Sequence, residues 1–279
     1  MTLQVRNPRT GAFDYVIDPL GSDAVANVAE RLRQAQAGWA ARTALERAEI
    51  LLRWADAIGM RLDGIVDALT EDTGRRGISR IEAEGIPRLI RRWAKDAPEM
   101  IARAEGGERL TSIPSITART RLVPYPLVGV ISPWNFPLTL AMIDAVPALA
   151  AGCAVLVKPS EVTPRFIRPL MEATRAVPEV AAVLEVIEGD GATGAAMIER
   201  VDFVCFTGSV TTGRKVGEAA ARAFIPASLE LGGKDPMIVL ASADPERAAT
   251  TALRASVVNT GQACQSIERI YVAREIAEP

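Results

Sequence analysis

The 279-residue chain contains no histidine. That excludes imidazole as a metal ligand, as a general base near neutral pH, and as the partner of a Ser or Cys nucleophile in a triad. Cysteine is scarce as well. Cys153, Cys205 and Cys264 include no CxxC pair, which rules out a disulfide framework and a thiolate zinc site. Neither sign of charge is in excess: 32 Lys+Arg against 34 Asp+Glu give a formal net charge of -2. Nothing there resembles the basic footprint of a nucleic-acid or anionic-membrane binder. Long apolar runs are missing, since the most apolar stretch, residues 141–157, is interrupted by Asp144 and Pro147. The first residues lack the apolar segment of a secretory leader. These absences predict a reduced, cytoplasmic chain with no metal, membrane or nucleic-acid role. Its chemistry is left to Cys, Ser, Lys, Tyr, carboxylates or a bound cofactor.

What is present is a globular composition, 49% hydrophobic and 24% charged. At roughly 150 residues per domain the length allows two domains or one large one. The first hundred residues read as helices. Ser22 and Asp23 precede one apolar stripe, and Thr43 and Glu46 form a capping-box pattern ahead of a second. That second stripe, Ile50, Leu51, Trp54, Ile58, Leu62, Ile65 and Leu69, predicts one helix ending at Gly74. Ser79 and Glu82 repeat the start signal for a third helix towards Met100. From Gly106 to about Tyr125 the pattern alternates, as in an extended hairpin that would need covering by another segment or subunit. From Leu127 short Val/Ile-rich runs alternate with helical patterns, which predicts a parallel sheet covered on both faces. Ligands of such sheets sit beyond the carboxyl ends of the strands.

Four groups of residues there carry chemical potential. In Pro133-Trp134-Asn135-Phe136-Pro137 two prolines fix the backbone around an amide. Asn135 is either an oxyanion donor or a turn cap. Lys158 and Glu161, in Lys158-Pro159-Ser160-Glu161, suit a ribose diol or an exposed ion pair. Two glycine loops compete for a phosphate: Gly189 to Gly194, a literal GxGxxG, and Gly208-Ser209 to Gly213. Spacing alone does not rank them. Finally, Cys264 lies in small, polar company after a helix, whereas Cys153 and Cys205 sit in or beside apolar runs. Glu230 interrupts the run Leu229-Glu230-Leu231, where burial would favour the protonated form or demand an ion pair.

In this order the blocks Pro-Trp-Asn-Phe-Pro, Lys-Pro-Ser-Glu, Phe-Thr-Gly-Ser, Leu-Glu-Leu-Gly-Gly-Lys and Gly-Gln-Ala-Cys resemble the NAD(P)-dependent aldehyde dehydrogenase superfamily along essentially the whole chain. The resemblance implies an α/β fold: a Rossmann-type parallel sheet with helices on both faces, an oligomerisation hairpin and the start of a second α/β catalytic domain. It assigns residues 1–105 and 125–232 to dinucleotide binding, 106–124 to the hairpin, and 233–279 to the catalytic domain. By it, Cys264 is the nucleophile, Asn135 holds the oxyanion, and Glu230 activates the water that hydrolyses a thioester. Ile131, Ser132, Trp134, Lys158, Ser160, Glu161, Gly191, Gly194, Phe206, Thr207, Gly208, Ser209, Gly213, Leu231 and Gly232 are then the cofactor contacts. The pyrophosphate goes to the Phe206–Ser209 loop, and Gly191 and Gly194 lie beside the adenine. A carboxylate at Glu161 favours NAD, with NADP possible. The partners implied are a small aldehyde and, in the family, further copies of the chain. Family members continue well beyond their cysteine, so the resemblance implies a C-terminally truncated form with an incomplete site and little turnover. The alternative is a non-catalytic nucleotide-binding remnant or interaction module.

Overall fold

The computed structural model describes residues 2–277; the outer limits of the expected domains, at 1 and 279, lie outside them. The chain opens with an antiparallel pair, β1 (Leu3–Arg6) and β2 (Phe13–Ile17), where only helices were expected. Each strand is too short for its period-two pattern to stand out, yet Val5 and Ile17 are buried and Gly11 turns the chain at φ 77°. Four helices follow: α1 (Ser22–Ala40), α2 (Ala44–Gly59), α3 (Leu62–Thr73) and α4 (Arg76–Glu105). Thr43 and Glu46 make the expected reciprocal capping box, and Gly74 ends α3 in the left-handed region. The single helix expected from Ile50 to Gly74 is in fact two. The apolar stripe stays in phase across the break, while the Met60 and Arg61 amides turn back onto the Asp56 and Ile58 carbonyls. Ser79 and Glu82 start no helix; both are buried inside α4.

The expected hairpin shrinks to two residues a side, β3 (Arg109–Leu110) and β4 (Thr117–Ala118). Beyond it run β5 (Leu127–Ile131), α5 (Pro137–Ala151), β6 (Ala154–Lys158), α6 (Ile167–Arg175), α7 (Pro178–Ala181), β7 (Leu184–Val186), α8 (Gly191–Ile198), β8 (Phe203–Gly208), α9 (Val210–Ala223) and β9 (Ala227–Leu231). The five strands form one wholly parallel sheet in the order β7-β6-β5-β8-β9. Every residue of β5 and β6 is buried, as a sheet covered on both faces requires. The chain builds outwards from β5 through β6 to β7, then returns to build β8 and β9 on the other side. The crevice of the fold therefore opens beyond the carboxyl ends of β5 and β8, where the winding reverses.

Helix ends are closed by side chains from other helices. Three carbonyls at the end of α5 accept bonds from Gln36 (to Gly152, 3.0 Å), Trp39 (to Leu149, 2.8 Å) and Arg47 (to Ala150, 3.0 Å). Carbonyls at a helix end would be costly if buried bare, and bonding them ties α1 and α2 to the sheet layer.

The last segment is built differently. β10 (Asp235–Val239) and β11 (Ile267–Val272) form a separate parallel pair linked by α10 (Pro245–Val257), a helix with no buried residue. Phe224, Ile238, Leu240, Leu253 and Tyr271 are all more than half exposed. Local stability follows the apolar contact each segment makes. In hydrogen exchange the amides of β10, β11 and α10 should therefore exchange at least tenfold faster than those of β5 and β6. Equal protection in both groups would contradict this division.

Candidate active site

Two adjoining clefts lie at the carboxyl ends of the sheet. The larger, about 610 Å³, is walled by the residues that follow β5 (Ile131, Ser132, Trp134), β6 (Lys158, Ser160, Glu161) and β8 (Phe206, Thr207, Gly208, Ser209), with Gly191 and Gly194 from α8. Twelve expected cofactor contacts thus share one groove. Gly213, Leu231 and Gly232 do not line it. Leu231 and Gly232 wall the second cleft, and Gly213 is packing space, since a Cβ there would lie 2.5 Å from Leu231 Cδ2.

The motif reading missed one wall of the groove. Thr212, Lys215, Val216 and Ala219 project from α9, and Ala195 and Ile198 from α8. Spacings of 3, 4 and 7 mark one helical face in each case. That signal is legible in the sequence only once the groove is known to lie between these helices.

The structure gives physical grounds for ranking the glycine loops. At α8 the Asp190 carboxylate accepts the amides of Ala192 (2.9 Å) and Thr193 (3.1 Å). The Thr193 amide is the main cause of its lowered pKa. This helix start already carries its own anion. At α9 the cap is the neutral Ser209 hydroxyl, which accepts from Thr212 N at 3.2 Å and leaves the dipole uncompensated. Gly189 meanwhile packs directly on Thr193, where a Cβ would stand 2.4 Å from that side chain. The first glycine of the literal GxGxxG match is thus helix-start packing, while Gly191 and Gly194 line the groove.

Lys158 is no exposed ion pair. It is buried, and its Nζ donates to the carbonyls of Pro159 and Gly189, both at 2.9 Å, with Glu161 at 3.5 Å. Burial, opposed by Glu161, lowers its pKa. The Ser132 hydroxyl, which is buried on the groove wall, has no hydrogen-bond partner among the described residues. With the open floor at Gly191, where a Cβ would touch nothing, this suits a groove made for a polar, phosphate-bearing guest.

The second cleft, about 300 Å³, shares Pro133, Trp134, Thr207, Gly208 and Ser209 with the first. Asn135, Glu230 and Cys264 all line it. Burial sorts the thiols. Cys153 and Cys205 are buried, which pushes their pKa up to about 11 and about 12, whereas Cys264 is exposed. The Asn135 side chain donates one N–H to the Gln262 carbonyl at 2.8 Å, leaving its second donor for another acceptor. One expectation fails here. Glu230 is not buried in an apolar run, because β9 is the outer strand of the sheet and its residues 227–230 are exposed.

The match to known sequences decides the family. Residues 1–279 match the profile described as the Aldehyde dehydrogenase family. The chain belongs to the aldehyde dehydrogenase family. Among relatives, a protein of Mycolicibacterium smegmatis provisionally named succinate-semialdehyde dehydrogenase [NADP(+)] is 38% identical over 93% of this chain and 50% of its own length. The 4,4'-diapolycopene aldehyde oxidase of a Methylomonas species is 40% identical over 76% of this chain and 40% of its own. The solved structure of PutA, a provisionally named aldehyde dehydrogenase of Anabaena variabilis, superposes with a TM-score of 0.95 at 55% identity, covering 98% of this chain and 58% of that one. The chain spans about half the length of the curated relatives it matches. The aldehyde dehydrogenase fold read from the sequence is the one observed, and no described helix is long and apolar enough to cross a membrane.

Asn135 stands two residues before α5, whose N-terminus is held from beneath. The Glu82 carboxylate in α4 accepts the Thr139 amide at 3.3 Å, a substitute for the side-chain cap that α5 lacks. Burial raises the Glu82 pKa from 4.5 to about 7, against the pull of the Thr139 amide and Arg75. Its folded value thus lies above its unfolded one. The contribution to stability is complete below about pH 4.5 and is lost as pH rises through about 7. Glu82→Gln keeps the acceptor without the charge. Denaturant unfolding should show the variant gaining on the unmodified chain between these pH values, by on the order of 3 kcal/mol at pH 8. A difference independent of pH would refute this.

Proposed function

We propose that this chain carries the dinucleotide groove and the reactive thiol of an enzyme that oxidises an aldehyde to a carboxylic acid with NAD, or with NADP. The observation that carries the reading is the meeting of Cys264, Asn135 and Glu230 in one cleft that shares a wall with the groove. In this reading the Cys264 thiolate attacks the aldehyde carbonyl. The free N–H of Asn135 and the Cys264 backbone amide take the charge that develops on oxygen. The chemistry a bound dinucleotide supplies is hydride acceptance. Glu230 takes a proton from the water that attacks the resulting thioester, and its exposed position keeps it within reach of solvent. A nucleophile displaced from an acyl group needs no imidazole when a carboxylate serves the water, which accommodates the absence of histidine.

For the cofactor, the pyrophosphate is assigned to the start of α9, whose Ser209 cap carries no charge, and the adenine to the space between α8 and α9, beside Gly191 and Gly194. Ile198, Val216 and Ala219 give that space apolar walls. Glu161 faces the same groove and would repel a 2′-phosphate, which supports NAD, whereas the Mycolicibacterium relative is named for NADP(+). Residues 1–105 and 125–232 are read as the dinucleotide-binding part and 233–279 as part of a catalytic domain. The exposed Leu110, Ile113 and Val123 support the reading of 106–124 as a surface for further copies of the chain. A cytoplasmic location fits the three unpaired thiols.

In a protein of its relatives' full length, Cys264→Ala should abolish both aldehyde-dependent NADH formation and ester cleavage, with the Kd for NAD unchanged within twofold. Surviving activity would remove Cys264 from the mechanism. Glu161→Ser should shift the ratio of NADP to NAD affinity upwards by about tenfold, one charge–charge contact's worth. An unchanged ratio would show that Glu161 does not read the ribose.

A further inference from the structure

Asn135 and the loop of Cys264 are 129 positions apart in sequence, and a specific set of bonds holds them together. The Asn135 peptide oxygen accepts from Arg75 Nη2 at 2.9 Å and from Asn259 Nδ2 at 3.1 Å. The Gln262 peptide oxygen accepts from Asn259 Nδ2 at 3.0 Å and from the Asn135 side chain at 2.8 Å. Arg75 Nη1 donates to Asn259 Oδ1 and so closes the circuit. Both carbonyls have their two lone pairs taken, and both N–H groups of the Asn259 amide are used. Asn259 is buried, although it lies in a segment whose neighbours are mostly exposed.

The backbone is bent to allow this. Asn259, Thr260 and Gly261 stand at φ 55°, 57° and 74°, three consecutive residues in the left-handed region. Asn and Gly accept it readily, but for a β-branched Thr it is strained. Such a turn persists only where its surroundings over-determine it. Arg75 comes from a remote part of the chain, placed immediately after the left-handed Gly74 that ends α3. Its guanidinium is half-buried, and Glu82 is the charge that opposes its loss of hydration.

We propose that Arg75 and Asn259 are positioning residues: together they fix the angle of the Asn135 amide relative to Cys264, so that its free N–H meets the oxyanion. The inference rests on the reading of Cys264 and Asn135 given above, and adds two residues that touch neither substrate nor sulfur. An oxyanion donor works only if it is in place before the charge develops. One N–H of Asn135 is anchored on the Gln262 carbonyl, so the direction of the other depends on where that carbonyl is held. Asn259 holds the carbonyl, and Arg75 holds Asn259 and the Asn135 main chain.

Two reactions of the same thiolate separate this role from a general support of the loop. With p-nitrophenyl acetate a C–S bond forms, the carbonyl electrons move onto oxygen, and collapse expels p-nitrophenolate to leave an acetyl thioester. With iodoacetamide the thiolate displaces iodide directly, and no oxyanion arises. The ratio of the acylation rate to the alkylation rate at Cys264, followed by mass spectrometry on the full chain, therefore reads oxyanion positioning. Cys153 and Cys205 serve as buried internal references. Asn135→Ala is expected to lower the ratio by about 10²-fold, the usual effect of losing one such donor. Arg75→Met and Asn259→Asp should each lower it by at least tenfold with alkylation changed less than threefold, and Arg75→Lys should recover part of the loss. Asn259→Asp retains the partner of Arg75 but donates to neither carbonyl, so it tests the donors and not the packing. If Asn135→Ala lowers the ratio while the Arg75 and Asn259 variants leave it intact, or lower both rates equally, the positioning role is refuted and the site reading stands. If Asn135→Ala leaves the ratio unchanged, or the unmodified chain is not acylated at Cys264, the site reading itself fails and this inference with it.

Discussion

The constraint on which the rest of the structure depends is the burial of β5 and β6 on both faces. A strand with every residue buried offers no polar side chain to solvent along its length. Polar chemistry is displaced to the points where the strands end. Because the winding reverses between β5 and β8, the loops beyond them diverge and leave a crevice. The Pro133–Pro137 loop, the Lys158–Glu161 loop and the Thr207–Ser209 loop meet there for that reason, though they are remote in sequence. Val/Ile-rich strands and reactive loops are two outcomes of one packing requirement.

This explains what was legible in the sequence. The parallel sheet was, since Val128–Ile131 and Ala154–Val157 have no other stable environment than a doubly covered sheet. The ranking of the three cysteines was, because apolar neighbours in a buried strand, as at Cys205, or beside one, as at Cys153, mean a protonated thiol. The fine local signals were less secure. The stripe from Ile50 to Leu69 remains in register across a broken helix, since packing selects side-chain phase and is indifferent to two peptide units that turn aside. Ser79 and Glu82 have the letters of a capping box, but α4 begins before them and buries both. Glu230 misled in the opposite sense: apolar neighbours suggest burial only when a strand is interior, and nothing local says that β9 is the outer one. Arg75 and Asn259 gave no signal at all, because a bond across 184 positions has no local pattern.

The two glycine loops show how an energetic argument can separate motifs that spacing cannot. Each joins a strand to a helix, and each presents amides at a helix start. At α8 those amides are spent on Asp190. A phosphate placed there would have to displace a carboxylate already bonded twice and would meet its charge. At α9 a hydroxyl takes one amide and carries no charge. The electrostatic difference is that between repelling and attracting an anion, and of the three positions at which the loops differ, the one that decides it is Asp190 against Ser209.

The shared wall between the clefts adds a coupling that neither has alone. Trp134 and Thr207–Ser209 face both spaces, so whatever fills the groove also completes the boundary of the cleft that holds Cys264. In the proposed reading a guest in the groove would lower the polarity around the sulfur, and in a less polar setting each fixed donor would act more strongly on a developing oxyanion. On that reading the Asn135 amide would gain most, because one of its N–H groups is already anchored on the Gln262 carbonyl. A donor that had to be reoriented at each encounter would lose to reorganisation what the drier site provides.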